Sequence, residues 1–422
     1  MWDGPVNCIR IEVTKSTPAL PAVADTAVAA PRGSPADRAA YGRQHHIRRA
    51  REAVFSSDDR KPLAHLGVES WIERSWRRCL AQGQRPEHTP VLDALPASQR
   101  RRTLDANRQL LQAATPVLEK LSQAIADTRY FAILTNHDGV VVDARGAIDR
   151  SDPRADLITR VGTDLSEAAL GTTAISAALA ELQPVWLHQG EHFFNANSAY
   201  SCAGAPLFGP AGQCVGMLDL TGIQTVERPE LRHLVSQAAR RIENQLTLSQ
   251  MDAAGAAHTL VLRLNWPGSL LGDDTDGLVV LDNEGFVRGA NPIARQLLPP
   301  LAQTLHHAPG AGFALHAGEL FALDVGLLFD AADRSRVVDV PLWSGLRLHA
   351  LPQTRLQAQA HPRLVGDARP ALPLVAPQPL RELETALIRQ AVLEARGNVV
   401  QAAKTLGVSR ATVYRRLGNR RL

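Results

Sequence analysis

The chain has 422 residues, of which 45% are hydrophobic and 21% charged, with a net charge of +4. This length predicts two to four domains, and the composition excludes a wholly disordered protein. No apolar run reaches the roughly 18 residues of a membrane helix, and four cysteines without a CxxC pair predict reduced thiols, not a disulfide framework or a zinc ribbon.

The first 128 residues predict a flexible tail followed by helices. Residues 1–37 are rich in Pro and Ala, and they lack the basic start and the uninterrupted apolar stretch of a secretory signal, which favours a cytoplasmic location. Apolar residues recur at helical spacing through 38–128. In Trp71–Leu80 two tryptophans alternate with arginines, which indicates either an amphipathic helix packed on a neighbour or a second nucleic-acid contact, the first being favoured.

From residue 129 to 250 the pattern predicts an α+β sensor domain. A His137-Asp138-Gly139 turn joins two apolar runs into a predicted β-hairpin, and a helix interrupted at Gly171 spans Leu165–Glu181. A long helix is predicted from Glu230 to about Ser249. Between these helices we expect short strands at Val185–His188, Ser201–Phe208 and Cys214–Leu220.

A second, smaller α/β unit is predicted at 260–351. It starts as strand, turn, strand and helix between Gly277 and Leu298, with further strands at Leu315–Leu323 and Val337–Ala350. Six prolines between 352 and 379 then predict a stiff linker over 352–378.

Residues 379–422 predict an all-α helix-turn-helix with a net charge of +6 over 381–422. Asn398 and Ser409 are suited to cap its second and third helices, and Gly407 lies in the turn between them. Both caps are candidate DNA-binding residues. The third helix would present further ones to phosphates or base edges: Arg410, Thr412, Tyr414, Arg415 and Arg416.

The segment GNVVQAAKTLGVSRATVYRRL (397–417) resembles the Fis-type helix-turn-helix of bacterial enhancer-binding regulators. The front half, through ESWIERSWRRCLAQG (69–83), ILTNHDGVVVDARG (133–146) and GTDLSEAALGTTAISAAL (162–179), resembles the sensor region of acetoin-catabolism-type activators. That resemblance implies a GAF fold over about 129–250 that binds a small molecule, and GLVVLDNEGFVRGAN (277–291) is weakly similar to a PAS domain. It also implies a dimer that reads adjacent major grooves of a pseudo-palindromic operator.

One departure from that family concerns its central sigma-54 ATPase of the AAA+ type. The chain has no GxxxxGK[ST] motif and no GAFTGA-like sequence. We therefore expect regulation by occupancy without ATP-driven open-complex formation. RNA polymerase or another regulator is then a candidate partner beside operator DNA.

In a GAF fold the effector pocket lies between the sheet and the elements that cover one face. By that resemblance, an aromatic-walled pocket for a small organic effector is expected at six residues. They are Trp186, His188, His192, Phe193, Tyr200 and Cys202.

Competing signals lie in the same region. His188, Glu191 and His192 fit the H-x-x-E-H pattern of zinc peptidases, so a metal-dependent hydrolase is the alternative reading. Cys202 and Cys214 on neighbouring predicted strands could form a redox or metal pair.

A signalling scaffold that binds another regulator and not DNA is a third possibility. The favoured prediction is a multidomain α+β, cytoplasmic, homodimeric DNA-binding regulator that is not an enzyme, with no cofactor and no membrane contact.

Overall fold

The computed structural model describes residues 35–56, 67–92, 95–253, 259–303 and 315–354, together with Val399 and Ala403. These residues form a mixed α/β structure that divides into two compact units. The first takes in residues up to 208 and 214–242, and the second takes in 209–213 and the residues from 243 onward. No described helix is both long enough and apolar enough to cross a membrane.

The first unit begins with four helices and then builds an antiparallel sheet in the order β2-β1-β5-β4-β3. The helices are α1 (Pro35–Ser56), α2 (Ser70–Ala81), α3 (Ala97–Ala106) and α4 (Arg108–Ala124). The strands are β1 (Tyr130–Asn136), β2 (Val141–Gly146), β3 (Val185–His188), β4 (Tyr200–Phe208) and β5 (Cys214–Ile223). Three short helices, α5 (Pro153–Ile158), α6 (Glu167–Leu170) and α7 (Ala174–Glu181), lie between β2 and β3. The helix α8 (Leu231–Ala253) follows β5.

The predicted hairpin and strands of the first unit are present with small shifts of their ends. The β1–β2 turn is closed by Asn136, whose Oδ1 accepts hydrogen bonds from the amides of Asp138 and Val140. Gly139 supplies the positive φ of 84° in this turn. The predicted interruption at Gly171 separates α6 from α7.

One face of the first sheet carries the main core of this unit. Buried side chains of α1, α2 and α5–α7 pack there against β1, β3 and β4. The α7 helix approaches β4 closely because Gly204 has no side chain: a Cβ there would lie 2.9 Å from the carbonyl oxygen of Ala174. This close approach brings α7 over the part of the sheet where β4 and β5 pair.

The α2 helix shows which of the two interpretations of Trp71–Leu80 holds. Trp71 and Trp76 are buried in the core. The arginines of the helix are engaged by carboxylates of this unit: Arg74 by Glu181, Arg77 by Glu73 and Arg78 by Glu167. The alternation of Trp and Arg therefore reflects helix packing, and the nucleic-acid interpretation of this helix is wrong.

The second unit also holds an antiparallel sheet, in the order β8-β7-β6-β10-β9. The two sheets differ in where their central strand lies along the chain. The central strand of the first sheet, β5, is the last strand of its unit, whereas the central strand of the second sheet, β6, is the first. The strands are β6 (Leu260–Asn265), β7 (Gly277–Leu281), β8 (Val287–Ala290), β9 (Val338–Pro341) and β10 (Arg347–Thr354). The helices are α9 (Pro292–Leu297), α10 (Pro299–Gln303), α11 (Ala317–Leu320) and α12 (Gly326–Asp333).

Two predictions for the second unit need correction. The strand predicted at Leu315–Leu323 is interrupted by the helix α11, because His316 and Glu319 form a capping box that starts a helical turn there, and only isolated β-bridges at His316 and Phe321 remain of it. The last strand runs through Pro352 to Thr354, beyond the predicted end of the unit. Proline is tolerated because β9 pairs only with residues 347–350, so at Pro352 the strand has β6 alone as neighbour.

Candidate effector cavity

A small cavity lies in the first unit, between the sheet and the elements that cover its core face. Its volume is about 20 Å³, which is enough for a water-sized group and far below the several hundred Å³ of a drug-sized ligand pocket. Most of its wall is apolar. The lining residues are Ile133, Ile158, Leu165, Leu170, Thr173, Ala174, Ile175, His192, Tyr200, Cys202, Asp219 and Thr221.

Asp219 is the charged group of this wall and is fully buried on β5. Its Oδ2 accepts a hydrogen bond from the hydroxyl of Thr221, two residues along the same strand face. Its Oδ1 has no hydrogen-bond partner. Burial raises the pKa of the Asp219 carboxyl to about 7, and the Thr221 hydroxyl opposes that rise only in part. Both protonation states are therefore populated near neutral pH.

His192 reaches the cavity from the loop that covers it and is 1% exposed. Its Nδ1 lies 2.9 Å from the carbonyl oxygen of Gln189, so Nδ1 carries the proton and donates it. Burial lowers the pKa of the imidazole to about 4, which keeps the ring neutral at pH 7. The remaining ring nitrogen, Nε2, is a bare acceptor without a partner.

The loop that carries His192 is held by Arg51 of α1. The guanidinium of Arg51 donates to the backbone oxygens of Gly190, His192 and Phe193 and to Oδ1 of Asn195. It also lies over the ring of Phe55, 4.8 Å from its centroid. The α1 helix is therefore connected by Arg51 to this loop, which forms the roof of the cavity, and Arg43 and Gln44 of α1 also bond to the loop at Glu191 and Gln189.

Phe193 belongs to this roof but not to the cavity lining. Its ring packs edge-on against Phe55 and Phe194. Gly171, at φ +63°, fits under it: a Cβ there would lie 3.0 Å from the Cβ of Phe193. The helix interruption seen in the sequence therefore makes room for the roof.

The structure brings three of the six predicted effector residues to the cavity and separates the others. His192, Tyr200 and Cys202 line it. Cross-strand pairing puts Trp186 opposite Ala203 and His188 opposite Ser201, on the other face of the sheet from Cys202. The period of two along β3 decides this, because Val185 and Leu187 take the core-facing positions.

Sequence reasoning missed Asp219 and Thr221. The available signal was the acidic residue in the middle of an otherwise apolar predicted strand, CVGMLDLTGI (214–223). An ionisable residue at an interior strand position marks either a buried polar network or a ligand site.

The H-x-x-E-H residues do not form a metal centre. His188 Nδ1 lies 2.7 Å from the hydroxyl of Ser201, and the ring faces a surface cleft of about 640 Å³, whereas His192 faces the interior cavity. Glu191 is bound by Arg43 at 2.8 Å and by the amide of His188. Within the described ranges, no group of three or more His, Cys, Asp or Glu side chains is placed to hold a metal ion.

The two strand cysteines are also apart. Cys202 pairs across the sheet with Thr221, whereas Cys214 pairs with Phe208 at the other end of the same ladder. Both are free thiols. The redox or metal pair considered for them is therefore wrong.

The predicted DNA-binding residues, Asn398, Ser409, Arg410, Thr412, Tyr414, Arg415 and Arg416, lie outside the described residues. Val399 and Ala403, in the predicted second helix of the motif, are helical, and Ala403 is buried. The linker prediction beyond Thr354 and the tail before Pro35 also fall outside the described ranges.

Comparison with known proteins gives two family matches. Residues 44–244 match the N-terminal domain of MimR, and residues 379–418 match the Fis family of bacterial regulatory proteins. The chain therefore carries a MimR-type N-terminal domain and a Fis-family helix-turn-helix.

Two similar curated proteins are transcriptional regulators by their names. The acetoin catabolism regulatory protein of Cupriavidus necator is 30% identical over 59% of this chain and 36% of its own length. The MimR activator of the propane 2-monooxygenase operon in Mycolicibacterium smegmatis is 29% identical over 66% of this chain and 48% of its own length. The chain thus spans between about a third and a half of these relatives.

A solved structure, that of the Escherichia coli DhaR(N)–DhaL complex, aligns with 68% of this chain and 99% of its own chain. The TM-score is 0.42 at 16% identity.

Proposed function

We propose that this chain, with its MimR-type N-terminal domain and Fis-family helix-turn-helix, is an effector-responsive DNA-binding transcriptional regulator. The carrying observation is that a Fis-family match at 379–418 shares a chain with a MimR-type N-terminal domain at 44–244, whose core contains a small, mostly apolar cavity. Regulatory activity in the relatives supports the same reading. The protein acts in the cytoplasm, where its DNA is, and it is not an enzyme.

The first unit acts as a GAF-type sensor in this proposal. A small organic effector enters the cavity and contacts His192, Tyr200 and Cys202 together with Asp219. Entry requires the roof loop to move, because the present volume is too small. Arg51 passes that movement to α1. A ligand that binds the open roof better than the closed one shifts the population between the two.

Trp186, His188 and Phe193 take a supporting role in this proposal. Trp186 and His188 lie on the face of the sheet opposite the cavity, and Phe193 packs in the loop that forms its roof. They influence effector binding by holding the sheet and the roof in place, not by touching the effector. The PAS-like unit at 260–351 contributes a second folded body to the regulator.

DNA recognition is assigned to the C-terminal segment of a homodimer. Asn398 and Ser409 cap the motif's second and third helices and, with Arg410, Thr412, Tyr414, Arg415 and Arg416 on the third helix, contact phosphates or base edges. Two such helices in adjacent major grooves require half-sites about one helical turn apart.

The mode of regulation follows from the missing ATPase motif. Without a phosphate-binding loop in this sequence, the protein acts by operator occupancy and by contact with RNA polymerase or another regulator. The considerably longer relatives have room for further domains that this chain does not match.

The test is operator binding by the full chain and by Arg415→Ala, measured on DNA from its own upstream region across a salt series. We expect Arg415→Ala to weaken binding about 5- to 150-fold, the range for one base-reading arginine. Arg77→Ala serves as the matched control, since Arg77 is engaged by Glu73 in the first unit. Equal affinities for both variants, or no specific binding at any salt, would reject the assignment and favour the non-DNA-binding scaffold.

A further inference from the structure

The helix α3 carries a run of positive charge on the surface of the first unit. Arg100, Arg101 and Arg102 are consecutive and exposed, and none of their guanidinium groups bonds to or pairs with another residue that the structure describes. Three consecutive side chains cover about 200° of the circumference of a helix. The one acidic residue of α3, Asp105, pairs instead with Arg108 at 3.2 Å. The helix thus presents three guanidinium groups that no described residue neutralises.

The helix α2 shows that the arginines of this unit are not left unpaired as a rule. Its arginines 74, 77 and 78 are each engaged by a carboxylate. Like charges without counter-charges repel one another, so the arginines of α3 do not stabilise the unit through electrostatics. Nor do they stabilise it through packing, because α3 buries no side chain. The charge of α3 is therefore available to a partner.

The position of α3 is fixed at both of its ends, so its arginines are presented at a defined place. Just before the helix, the amide of Leu95 donates to the carbonyl oxygen of Gly162 at 2.9 Å. At the other end Asn107 joins α3 directly to α4, whose Leu118 and Leu121 are buried. Between these points most residues are strong helix formers. A helix held in this way displays charge without needing a buried face of its own.

The partner whose chemistry fits this surface is the phosphate backbone of DNA. Duplex DNA carries one negative charge per roughly 1.7 Å of its axis, and a guanidinium group binds phosphate through two parallel N–H donors. A protein interface or a lipid surface is held mainly by large apolar or aromatic anchors. No exposed residue of α3 is of that kind. Charge complementarity therefore favours a polyanion that needs no apolar contact.

We propose that α3 is a second DNA contact of this protein, in which Arg100, Arg101 and Arg102 bind backbone phosphates without reading the sequence. The inference rests on the proposed function in one respect, since the C-terminal segment has to bring DNA to the protein. It goes beyond that function by assigning part of the affinity to the first unit. The contact strengthens binding to every DNA sequence equally and makes binding more sensitive to salt.

The experiment measures binding of the full chain to a fragment of its own upstream region and to a scrambled fragment of the same length, across a salt series. Each phosphate contact contributes about 0.9 to the slope of log K against log salt concentration. The double variant Arg101→Gln/Arg102→Gln removes two contacts and should reduce that slope by about 1 to 2 on both fragments. Glutamine is used because its helix propensity is close to that of arginine.

Two further variants separate a local contact from a change in net charge. Arg334→Gln/Arg336→Gln is the matched control, because these arginines of the second unit are also exposed and have no partner among the described residues. It removes the same amount of charge and should leave the slope unchanged. Arg101→Lys/Arg102→Lys keeps the charge of α3 and should retain the wild-type slope on both fragments.

The outcomes separate this inference from the regulator proposal. A wild-type slope in Arg101→Gln/Arg102→Gln overturns the inference and turns attention to an acidic protein as the partner of α3, and an equal reduction in the control pair overturns it too. If the wild type binds both fragments equally well, the regulator is rejected, whereas a reduced slope in the α3 variant still supports the contact. Specific binding with an unreduced slope does the opposite. No binding to either fragment rejects both.

Discussion

Asp219 in the first unit and Asp276 in the second are both fully buried at a five-stranded sheet, but their surroundings differ. Asp276 accepts hydrogen bonds from the amide of Gly272 and the side chain of Asn265, and Arg263 lies 3.7 Å away. Asp219 has Thr221 as its hydrogen-bond partner, and its Oδ1 has none. The same residue type thus belongs to a complete hydrogen-bond network in the second unit and to an incomplete one in the first.

The surrounding polar groups repeat this contrast. In the second unit Asn291 caps α9 through its side-chain oxygen and donates to Asn244 and to the carbonyl of Asp276. Arg263 donates to Gln353. In the first unit Asp219 and His192, which line the cavity, each keep one side-chain atom without a hydrogen-bond partner.

The largest expected effect that tests this contrast is the pH dependence of Asp219→Asn. The folded protein holds a proton on Asp219 between about pH 4 and pH 7, where the unfolded chain has lost it, so wild-type stability falls as the pH rises through that window. The asparagine of the variant does not titrate, so the variant does not lose stability in this way as the pH rises. The stability of Asp219→Asn relative to the wild type should therefore grow by up to about 4 kcal/mol from pH 4 to pH 8.

Urea unfolding of both proteins at pH 4, 5, 6, 7 and 8 measures this difference. His192, whose lowered pKa has the opposite slope below pH 6.5, is present in both proteins and cancels. Parallel pH profiles would show that the Asp219 carboxyl is not protonated in the folded state.

The same substitution in the second unit should act in the opposite direction. Asp276→Asn leaves Arg263 buried without its carboxylate and should destabilise the unit by about 3 kcal/mol. Amide hydrogen exchange in β7 reports this unit separately. Asp339→Asn, in an exposed pair with Arg347 of the same unit, is the control and should change stability by less than about 1 kcal/mol. Equal effects of the two substitutions would remove the distinction between the aspartates.

A smaller effect is expected from Arg51→Lys, which weakens the roof of the cavity. A lysine cannot reproduce the four hydrogen bonds that the guanidinium makes to the roof loop, so we expect a loss of about 2 kcal/mol. Hydrogen exchange at 190–195 should rise while exchange in β6 and β7 stays the same. Arg48→Lys, on an exposed neighbour in α1, is the control, and an equal change in that variant would contradict the role of Arg51.

The smallest effect concerns α2. Arg77→Ala removes an i,i+4 pair with Glu73 and should lower stability by at most about 0.5 kcal/mol. It should leave operator affinity unchanged across the salt series. A reduced salt slope would restore a nucleic-acid contact to this helix.

Local patterns in the sequence predicted much of the first unit. The turn at His137-Asp138-Gly139, the strand at Val185–His188 and the interruption at Gly171 all depend on residues close together in the chain, and the structure has each of them. Of the cavity residues, His192, Tyr200 and Cys202 were predicted because the resemblance to a GAF domain implies a pocket between the sheet and the elements that cover one face.

The parts that failed depend on distant partners. Oδ1 of Asp219 has no partner because Thr221 bonds only to Oδ2 and because neither the roof loop nor α7 brings a donor to it. The spacing of residues within the strand does not reveal how these elements pack over the sheet. The capping box of His316 and Glu319 overrode an apolar run that predicts a strand. Trp186 and His188 were grouped with Cys202 because the strand pairing that puts them on the opposite face is not local.

The shifted strand order of the two sheets has a consequence for folding during synthesis. In the second sheet β6, β7 and β8 can pair as a three-stranded meander once residue 290 has been made, and three strands are the minimum for independent stability. In the first sheet the meander consists of β3, β4 and β5, so the β1–β2 hairpin leaves the ribosome alone and waits about 70 residues for its central partner. During that interval the edge of β1 that later pairs with β5 is open to other nascent chains, and every residue of β1 is one that the folded unit buries. The first unit, although made first, is therefore the one whose folding in the cell we expect to require chaperone protection.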